Sequence, residues 1–447
     1  MAEPRRLDPP SDPLAVSGAR VLPSAPAIGG RLKDRAEDFF VEEIPLFEPS
    51  GSGPHVFVCL EKINLSTSET LDLLARHFGV ARGDIGYAGM KDKRAVTRQT
   101  FSVHLPLGDP ERARAIRDDR IRVMWVDRHE EKLRRGQLAG NRFAIRVRGV
   151  DASAAPRALK ALRELERRGA PNRFGPQRFG ARGNNHEVGR RLLAGDVAGA
   201  IEHVLLPYEG APELADHEAR LRCAAGDWKG ASRAFPRASR AERRLCEALA
   251  EGASPEEAID WVDETQRRFW ASAAQSAAFN LVLDERVRDQ TFDELLEGDL
   301  ALRHARERSG REPIAVDAEV LADPGLRERV ARFDLSPSGP MWGPEMARAG
   351  GAVGERERAA LASLGLAPED LDRYDALHGG DLIRGARREL RVPVSEATVE
   401  GGVDEQGPYV LCAFALPSGA FATVVMDEIM SAPGNDAARA GEREARA

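Results

Sequence analysis

The chain has 447 residues, of which 42% are hydrophobic and 31% charged, and its formal net charge at pH 7 is −7. This length predicts two or three domains, and the composition is typical of a globular protein with ample apolar material for a core. No window approaches eighteen consecutive apolar residues, which argues against a membrane-spanning helix.

The start of the chain and its cysteines bear on where the protein works. Residues 1–29 are rich in Pro, Gly, Ser and Ala and lack an apolar stretch of signal-peptide length, so we expect a flexible leader. The cysteines are scattered and form no C-x-x-C pair, at Cys59, Cys223, Cys246 and Cys412. This spacing argues against a zinc knuckle and favours a reducing, cytoplasmic setting.

The first ordered elements that the pattern predicts are a strand and a helix. Strand-forming residues run from His55 to Leu60. Ser66, with Glu69 three residues later, has the pattern of a capping box at the start of a helix that ends at Gly79. The stretch GYAGMKDKRAVTRQTF follows at residues 86–101 and leads into an alternating strand. We therefore place this stretch on a loop that enters a strand, where catalytic groups often lie.

The middle of the chain changes from strands to helices. Asn141–Arg148 alternates between apolar and basic residues, which predicts a strand with one core face and one basic face. A helix is expected from about Pro156 to Arg168, and the Gly and Pro residues of PNRFGPQRFG at 171–180 then predict a loop. Residues 183–379 show mainly helical patterns.

Strand patterns return near the end of the chain. They cover 391–395 and 410–416 and continue, after a Pro-Ser-Gly-Ala turn, into Phe421–Ile429. The economical account is one α+β domain built from both ends of the chain and interrupted by an inserted domain. The expected scheme is a flexible leader over 1–29, the catalytic domain over 30–182 and 380–432, the insertion over 183–379, and a flexible tail over 433–447.

The charge distribution reverses the impression of an acidic protein. Between Arg120 and Arg191 there are 19 Lys and Arg against 7 Asp and Glu, a local charge of +12, so the rest of the chain carries −19. A basic segment inside an acidic chain is a candidate surface for a polyanion. The alternative is a set of arginines spread over solvated faces.

The stretch GYAGMKDKRAVTRQTF places one acid, Asp92, among Lys and Arg neighbours. A Walker phosphate loop is disfavoured because Gly86 and Gly89 are too close together and no Ser or Thr follows Lys91. A divalent-metal nuclease is disfavoured because too few acids lie nearby. Nearby positive charge keeps a carboxylate ionised, which suits a nucleophile or a base. A structural ion pair is equally compatible with this spacing.

Several phenylalanines lie beside polar, glycine or basic residues, namely Phe39, Phe143, Phe174, Phe179 and Phe421. Most such residues belong to the core, but beside arginines they can stack on an extruded RNA base. Asn141, which precedes an alternating strand, is usually a turn residue, and its amide could also orient a catalytic loop.

These pieces together resemble the TruD family of tRNA pseudouridine synthases. The matching motifs keep the family's order from about residue 31 to 429, and they are Lys33 with EDFFVEEIP, GYAGMKDKRAVTRQ, AGNRF, PNRFGPQRFG, SAAQSAAFNLVLDER, SGPMWG and LPSGAFATVVMDEI. The chain departs at Arg173, where the family commonly has a tyrosine, and the stretch 184–263 is long for bacterial members.

The resemblance implies site residues. The family's catalytic aspartate falls on Asp92. Its substrate-binding positions fall on Lys33, Phe39, Asn141, Phe143 and Phe421. The implied fold is the pseudouridine synthase fold, a mixed and mostly antiparallel sheet with flanking helices, plus an inserted, family-specific α/β domain.

The resemblance also implies the reaction. A uridine of tRNA, position 13, becomes pseudouridine, and the aspartate acts as nucleophile at C1′ or as base at C2′. We expect tRNA as the partner, no cofactor, no metal, no membrane, and a monomer. The alternatives are a non-catalytic RNA-binding protein or tRNA chaperone on the same scaffold and, from a third class, a nuclease or NTPase.

Overall fold

The computed structural model describes residues 5–10, 19–23, 26–210, 214–304, 312–380 and 382–431. The strands are β1 Phe39–Pro45, β2 His55–Ile63, β3 Ile85–Tyr87, β4 Val96–His104, β5 Ile121–His129, β6 Leu138–Arg148, β7 Ala170–Pro171, β8 Leu300–Arg303, β9 Ile314–Ala315, β10 Leu335–Met341, β11 Ala386–Glu389, β12 Arg391–Val392, β13 Ser395–Asp404 and β14 Gly407–Pro417. The helices are α1 Thr67–Phe78, α2 Ala155–Arg168, α3 Asn185–Ala194, α4 Val197–Leu205, α5 His217–Ala224, α6 Trp228–Ala234, α7 Arg240–Ala250, α8 Pro255–Ala258, α9 Glu264–Arg288, α10 Ala318–Leu321, α11 Leu326–Ala331, α12 Gly351–Ser363, α13 Pro368–Leu377 and α14 Ala422–Met430.

The chain divides into two compact units, and each draws on separate parts of the sequence. The unit that contains the candidate acid Asp92, named the catalytic unit for that residue, comprises Leu22–Ala170 and Val392–Ala432. The second unit comprises Met1–Val21, Pro171–Arg391 and Pro433–Ala447. The units change at 170/171 and 391/392, whereas the domain borders expected from the sequence were 182/183 and 379/380, and those borders stay a prediction.

The expected flexible tail and part of the expected leader lie outside the described residues. Residues 1–4, 11–18, 24–25 and 432–447 are not described. Of the described leader residues, Leu7 forms a parallel bridge with Tyr208 within the second unit. In the catalytic unit, the N–H groups of Ile28 and Gly29 donate to the carbonyls at the end of α14, at 3.1 and 3.0 Å. These short stretches of the leader are therefore hydrogen-bonded to the fold.

A twisted eight-stranded sheet organises the catalytic unit. Its strand order is β13-β14-β6-β1-β4-β2-β5, and β3 pairs with β4. Neighbours run antiparallel except β1 and β4, which are parallel with Phe40 opposite Val96. The sheet is thus mixed and mostly antiparallel, and with its flanking helices it confirms the α+β class. The parallel pair places β1 directly beside the strand that follows the Asp92 loop.

Helix α1 covers one face of this sheet, as its sequence predicts. Ser66 and Glu69 form the capping box, and Gly79 ends the helix with a left-handed φ of 70°. The apolar stripe of α1 packs on inward-facing residues of β2 and β4, and the cluster includes Leu71, Leu74, Phe78, Val56, Val58, Leu60, Phe101 and Val103. The alternating apolar residues of β2 and β4 and the helical apolar stripe of α1 therefore form one core.

The strand expected over Phe421–Ile429 is wrong, because residues Ala422–Met430 form helix α14. β-branched residues such as Val424 and Val425 suggested a strand. The structure instead buries Ala422, Val425, Met426 and Ile429, which recur at spacings of three and four residues and so share one helical face. Val424 is buried beside them. Packing of an apolar helical face has overridden the local β preference, as tertiary context often does.

The second unit is mainly helical, as the patterns over 183–379 predict. Helix α9 is its longest described helix and contributes many small buried residues. Beside the helices lies an antiparallel sheet with the order β11-β10-β8-β9. From Asn172 onward the PNRFGPQRFG motif forms a loop that contains one 3-10 turn, Pro176–Phe179, which confirms the prediction of a loop; Pro171 ends β7. Among the described residues no helix has the length and apolarity that crossing a bilayer requires.

Candidate active site

The Asp92 loop is the turn between β3 and β4, and two buried side chains hold its backbone. Gln99 Nε2 donates to Gly89 O at 2.6 Å. Thr67 Oγ1 accepts from Lys91 N–H at 3.0 Å and donates to Gln99 Oε1 at 3.2 Å. Thr67 begins α1 and Gln99 lies on β4, and both are buried. The loop is therefore fixed on both sides of Met90.

Asp92 forms an ion pair with Lys33. Lys33 Nζ donates to Asp92 Oδ2 at 2.7 Å, and the two side chains are 19% and 37% exposed. The two residues are far apart in sequence, so only the fold brings them together. A charge-assisted contact of this length favours the ionised carboxylate. Asp92 is thus both held in place and open to a ligand.

The other cations near Asp92 in sequence have partners of their own. Lys91 forms an ion pair with Glu43 on β1, 2.6 Å apart, and both side chains are only 5% exposed. Lys93 donates to Glu69 of the α1 capping box at 3.0 Å. Hydrogen bonds from Ser66 and the charge of Lys93 lower the pKa of Glu69 to about 2. Lys91 and Lys93 therefore stabilise the loop through their own ion pairs. Lys33 is the lysine that forms an ion pair with Asp92.

The segment that carries Lys33 is anchored by a buried arginine. Lys33 itself has a left-handed φ of 59°. Arg31 pairs by two backbone hydrogen bonds with Arg148 on β6. The guanidinium of Arg148 contacts Asp38 at 2.6 Å and Asp404 at 2.6 Å, and Asp38 is fully buried. Hydrogen bonding to Asp404 and Asp38 raises the pKa of Arg148, so its guanidinium stays charged. The backbone beside Lys33 is therefore tied to the sheet.

Phe39 and Phe143 form a buried aromatic support under Lys33. Lys33 Nζ lies 4.2 Å from the centroid of the Phe39 ring, within cation–π range. Phe39 meets Phe143 edge-on with centroids 6.4 Å apart, and Phe143 packs on Phe414 at 5.7 Å. Phe39 is only 2% exposed. Stacking of a base on Phe39 would first require the ammonium of Lys33 to move off the ring.

Asn141 lies on the sheet, and Phe421 lies just beyond the end of β14, the strand that pairs with the strand of Asn141. Asn141 on β6 is the register partner of Leu416 on β14. Its Oδ1 is buried and has no hydrogen-bond partner among the described residues. Phe421 is half-buried at the N-cap of α14, just after the turn that follows β14, where Ser418 N–H donates to Ala139 O at 3.1 Å.

The glycine of the AGNRF motif explains how closely β6 and β14 approach. A Cβ at Gly140 would lie 2.3 Å from the carbonyl oxygen of Leu416. A larger residue would push β14 away from β6. All six predicted site residues belong to the catalytic unit, and contacts link Asp92, Lys33, Phe39 and Phe143 directly.

Lys62 is a buried cation near the loop that the sequence pattern did not single out. It lies on β2, is 1% exposed, and donates to Leu65 O at 2.7 Å just before the α1 capping box. Burial, with Lys91 as the next cause, lowers the pKa of Lys62 to about 8, while Glu43, Glu69 and Asp92 act in the opposite direction. A lysine in a strand pattern looks like a solvated residue, so only the tertiary structure identifies it.

Many arginines of the basic segment 120–191 are engaged within the protein. Arginines from this segment contact carboxylates or backbone carbonyls, as shown by Arg120, Arg128, Arg142, Arg148, Arg163, Arg173, Arg182, Arg190 and Arg191. Arg173, where the family commonly has tyrosine, forms a buried pair with Asp284 of α9. The segment's local charge therefore overstates the number of cations available to a polyanion.

The geometry also limits the sites for a metal. In the parts of the chain that the structure describes, no three His, Cys, Asp or Glu side chains are grouped so that they could hold an ion.

Comparison with known proteins decides the family. The family model described as tRNA pseudouridine synthase D (TruD) matches residues 19–429. Proteins named tRNA pseudouridine synthase D are 40% identical in Geobacter metallireducens, over 91% of this chain and 96% of that protein, and 40% identical in Geobacter sulfurreducens, over 92% and 96%. The chain belongs to the TruD family of tRNA pseudouridine synthases.

A solved structure agrees with this assignment. The crystal structure of a Methanosarcina mazei protein with the provisional name tRNA pseudouridine synthase D (TruD) matches with a TM-score of 0.79 and 26% identity, covering 96% of this chain and 99% of the other. The pseudouridine synthase fold and the enzyme class, an isomerase that acts on tRNA, follow from TruD membership.

Proposed function

We propose that this TruD enzyme converts uridine at position 13 of tRNA to pseudouridine and that Asp92 is its catalytic carboxylate. The observation that supports this most directly is the 2.7 Å contact between Lys33 Nζ and Asp92 Oδ2. A partly exposed acid, paired with a cation on a loop whose backbone is anchored, is prepared to react without rearrangement.

The reaction needs three events at one nucleotide. The N1–C1′ bond breaks, the detached uracil rotates, and C5 bonds to C1′. C5 then loses its proton and N1 gains one, so the product is an isomer of the substrate. Ionised Asp92 either attacks C1′ and is displaced when C5 bonds there, or removes a proton from C2′ and returns it when C5 bonds to C1′. Lys33 keeps the carboxylate ionised before reaction and stabilises its charge when it is released.

The remaining site residues take supporting roles in this proposal. Phe421, which is half-buried, supplies a face on which the extruded uracil stacks. Phe39 and Phe143, which are buried, hold Lys33 in position from below. Asn141, whose amide oxygen is buried without a described partner, can offer that acceptor to the nucleotide once its side chain turns outward.

We further propose that the reaction uses no cofactor, because it involves no net oxidation, reduction or hydrolysis. Activity that persists in EDTA would support this, and a strict requirement for Mg²⁺ would contradict it. We also propose that the enzyme works in the cytoplasm and that it is a monomer. Size-exclusion chromatography with light scattering tests the oligomeric state.

The deciding experiment compares wild type with Asp92→Asn on unmodified tRNA transcripts. Pseudouridine is mapped chemically, which reports activity, RNA class and position together. We expect modification at position 13 by the wild type, none by Asp92→Asn, and similar tRNA affinity for both.

Asp72→Asn is the matched control, because Asp72 is also an acid of the catalytic unit and pairs on the surface with Arg82 at 2.8 Å. It should retain full activity. Turnover by Asp92→Asn at the wild-type rate would refute the role of Asp92. Tight binding without any modification by the wild type would instead indicate a non-catalytic RNA-binding protein.

A further inference from the structure

Met90 is a large apolar side chain that is 71% exposed and lies two residues before Asp92. Single exposed apolar residues are common on protein surfaces, so exposure alone carries little meaning. The distinguishing feature of Met90 is the rigidity of the backbone that presents it next to a candidate catalytic acid.

The residues on either side of Met90 are both anchored. Gly89 O accepts from Gln99 Nε2 at 2.6 Å, and Lys91 N–H donates to Thr67 Oγ1 at 3.0 Å. Gln99 and Thr67 are buried, so their positions are set by the core. The ion pair between Lys91 and Glu43 adds a third anchor. The backbone on both sides of Met90 is therefore held in place while the Met90 side chain is exposed to solvent. In a mobile loop, by contrast, the side chain could fold back onto the protein.

Distance and chemistry connect this side chain with the substrate. Two residues span at most about 7 Å of chain, so Met90 stays close to any nucleotide bound at Asp92. Removing a base from its stack costs a few kcal/mol, and proteins offset this cost by inserting apolar side chains such as Met between bases. The flexible, polarisable thioether of Met suits contact with aromatic rings.

We propose that Met90 contacts the bases next to the target uridine and fills the space that the uridine leaves when it is extruded. Met90 is thus a substrate-binding residue that acts on base extrusion. This inference rests on the proposed function, since it assumes that uridine is modified at Asp92.

The test uses Met90→Ala and Met90→Ser, which remove the apolar contact, and Met90→Leu, which keeps it. Leu107→Ala is the matched control, because Leu107 is a fully exposed apolar residue of the same catalytic unit. Single-turnover modification of a tRNA transcript is measured for each variant. Fluorescence of 2-aminopurine placed beside the target uridine reports extrusion directly. Thermal unfolding checks that each variant is folded.

We expect Met90→Ala and Met90→Ser to slow modification about tenfold, which corresponds to about 1.4 kcal/mol of activation free energy. Both variants should also reduce the 2-aminopurine signal. Met90→Leu and Leu107→Ala should stay near wild type. Rates for Met90→Ala and Met90→Ser within about twofold of wild type would overturn the inference. Equal loss in Met90→Leu would also overturn it, because an apolar contact should survive that change. A wild type that forms no pseudouridine would refute the proposed function itself, which separates the two failures.

Discussion

Thr67→Val should misplace the Asp92 loop while leaving the shape of the core almost unchanged. Valine replaces the hydroxyl of Thr67 with a methyl group of similar size. The hydroxyl accepts from Lys91 N–H at 3.0 Å and donates to Gln99 Oε1 at 3.2 Å. Without this hydroxyl, the N–H of Lys91 and the Oε1 of Gln99 lose their hydrogen-bond partner beside a buried position. This loss lowers the free energy of unfolding by about 1–3 kcal/mol.

The effect on catalysis should exceed the effect on stability. A displacement of about 1 Å in a catalytic group can slow a reaction about a hundredfold. We therefore expect Thr67→Val to lower kcat at least about tenfold while KM for tRNA changes little, because the exposed binding surface is unaltered. Thr67→Ser keeps the hydroxyl and should restore most of the rate.

The assays are urea unfolding and single-turnover modification of a tRNA transcript. A double-mutant cycle of Thr67→Val with Gln99→Leu should show coupling of about 0.5–3 kcal/mol, because both side chains hold the same loop. A stability loss below about 0.5 kcal/mol together with a rate within about twofold of wild type would refute the reasoning. Failure of Thr67→Ser to rescue the rate would count against the hydroxyl.

Three further outcomes are expected. Phe421→Ala should slow single-turnover modification about ten- to a hundredfold, because stacking on an aromatic ring contributes about 1–3 kcal/mol per base; an unchanged rate would exclude the stacking role. Lys62→Met should change the pH dependence of stability. The pKa of Lys62 is lowered from 10.5 to about 8, so between these values the unfolded chain binds more protons. Urea unfolding of wild type relative to Lys62→Met should then show stability rising with pH across that window by up to about 1.4 kcal/mol per unit, and a flat difference would contradict it. Affinity for tRNA should fall at least about tenfold between roughly 50 and 200 mM salt, measured by filter binding, and an affinity independent of salt would argue against phosphate contacts.

Local patterns were sufficient for several elements of the fold. The capping box at Ser66 and Glu69 and the stop at Gly79 define α1 as predicted, because those signals depend only on neighbouring residues. The same local reasoning failed at 421–429. There the β-branched residues favour a strand, while burial of Val425, Met426 and Ile429 on one face selects a helix.

The sequence also determined the family and the candidate acid, because the order of short motifs is a property of the chain itself. It could not determine which lysine serves which acid. Lys33 meets Asp92, Lys91 meets Glu43 and Lys93 meets Glu69 only after β1 pairs in parallel with β4 and α1 packs on the sheet. Ion pairs act over a few ångströms, and residues that are distant along the chain reach that separation only through tertiary structure.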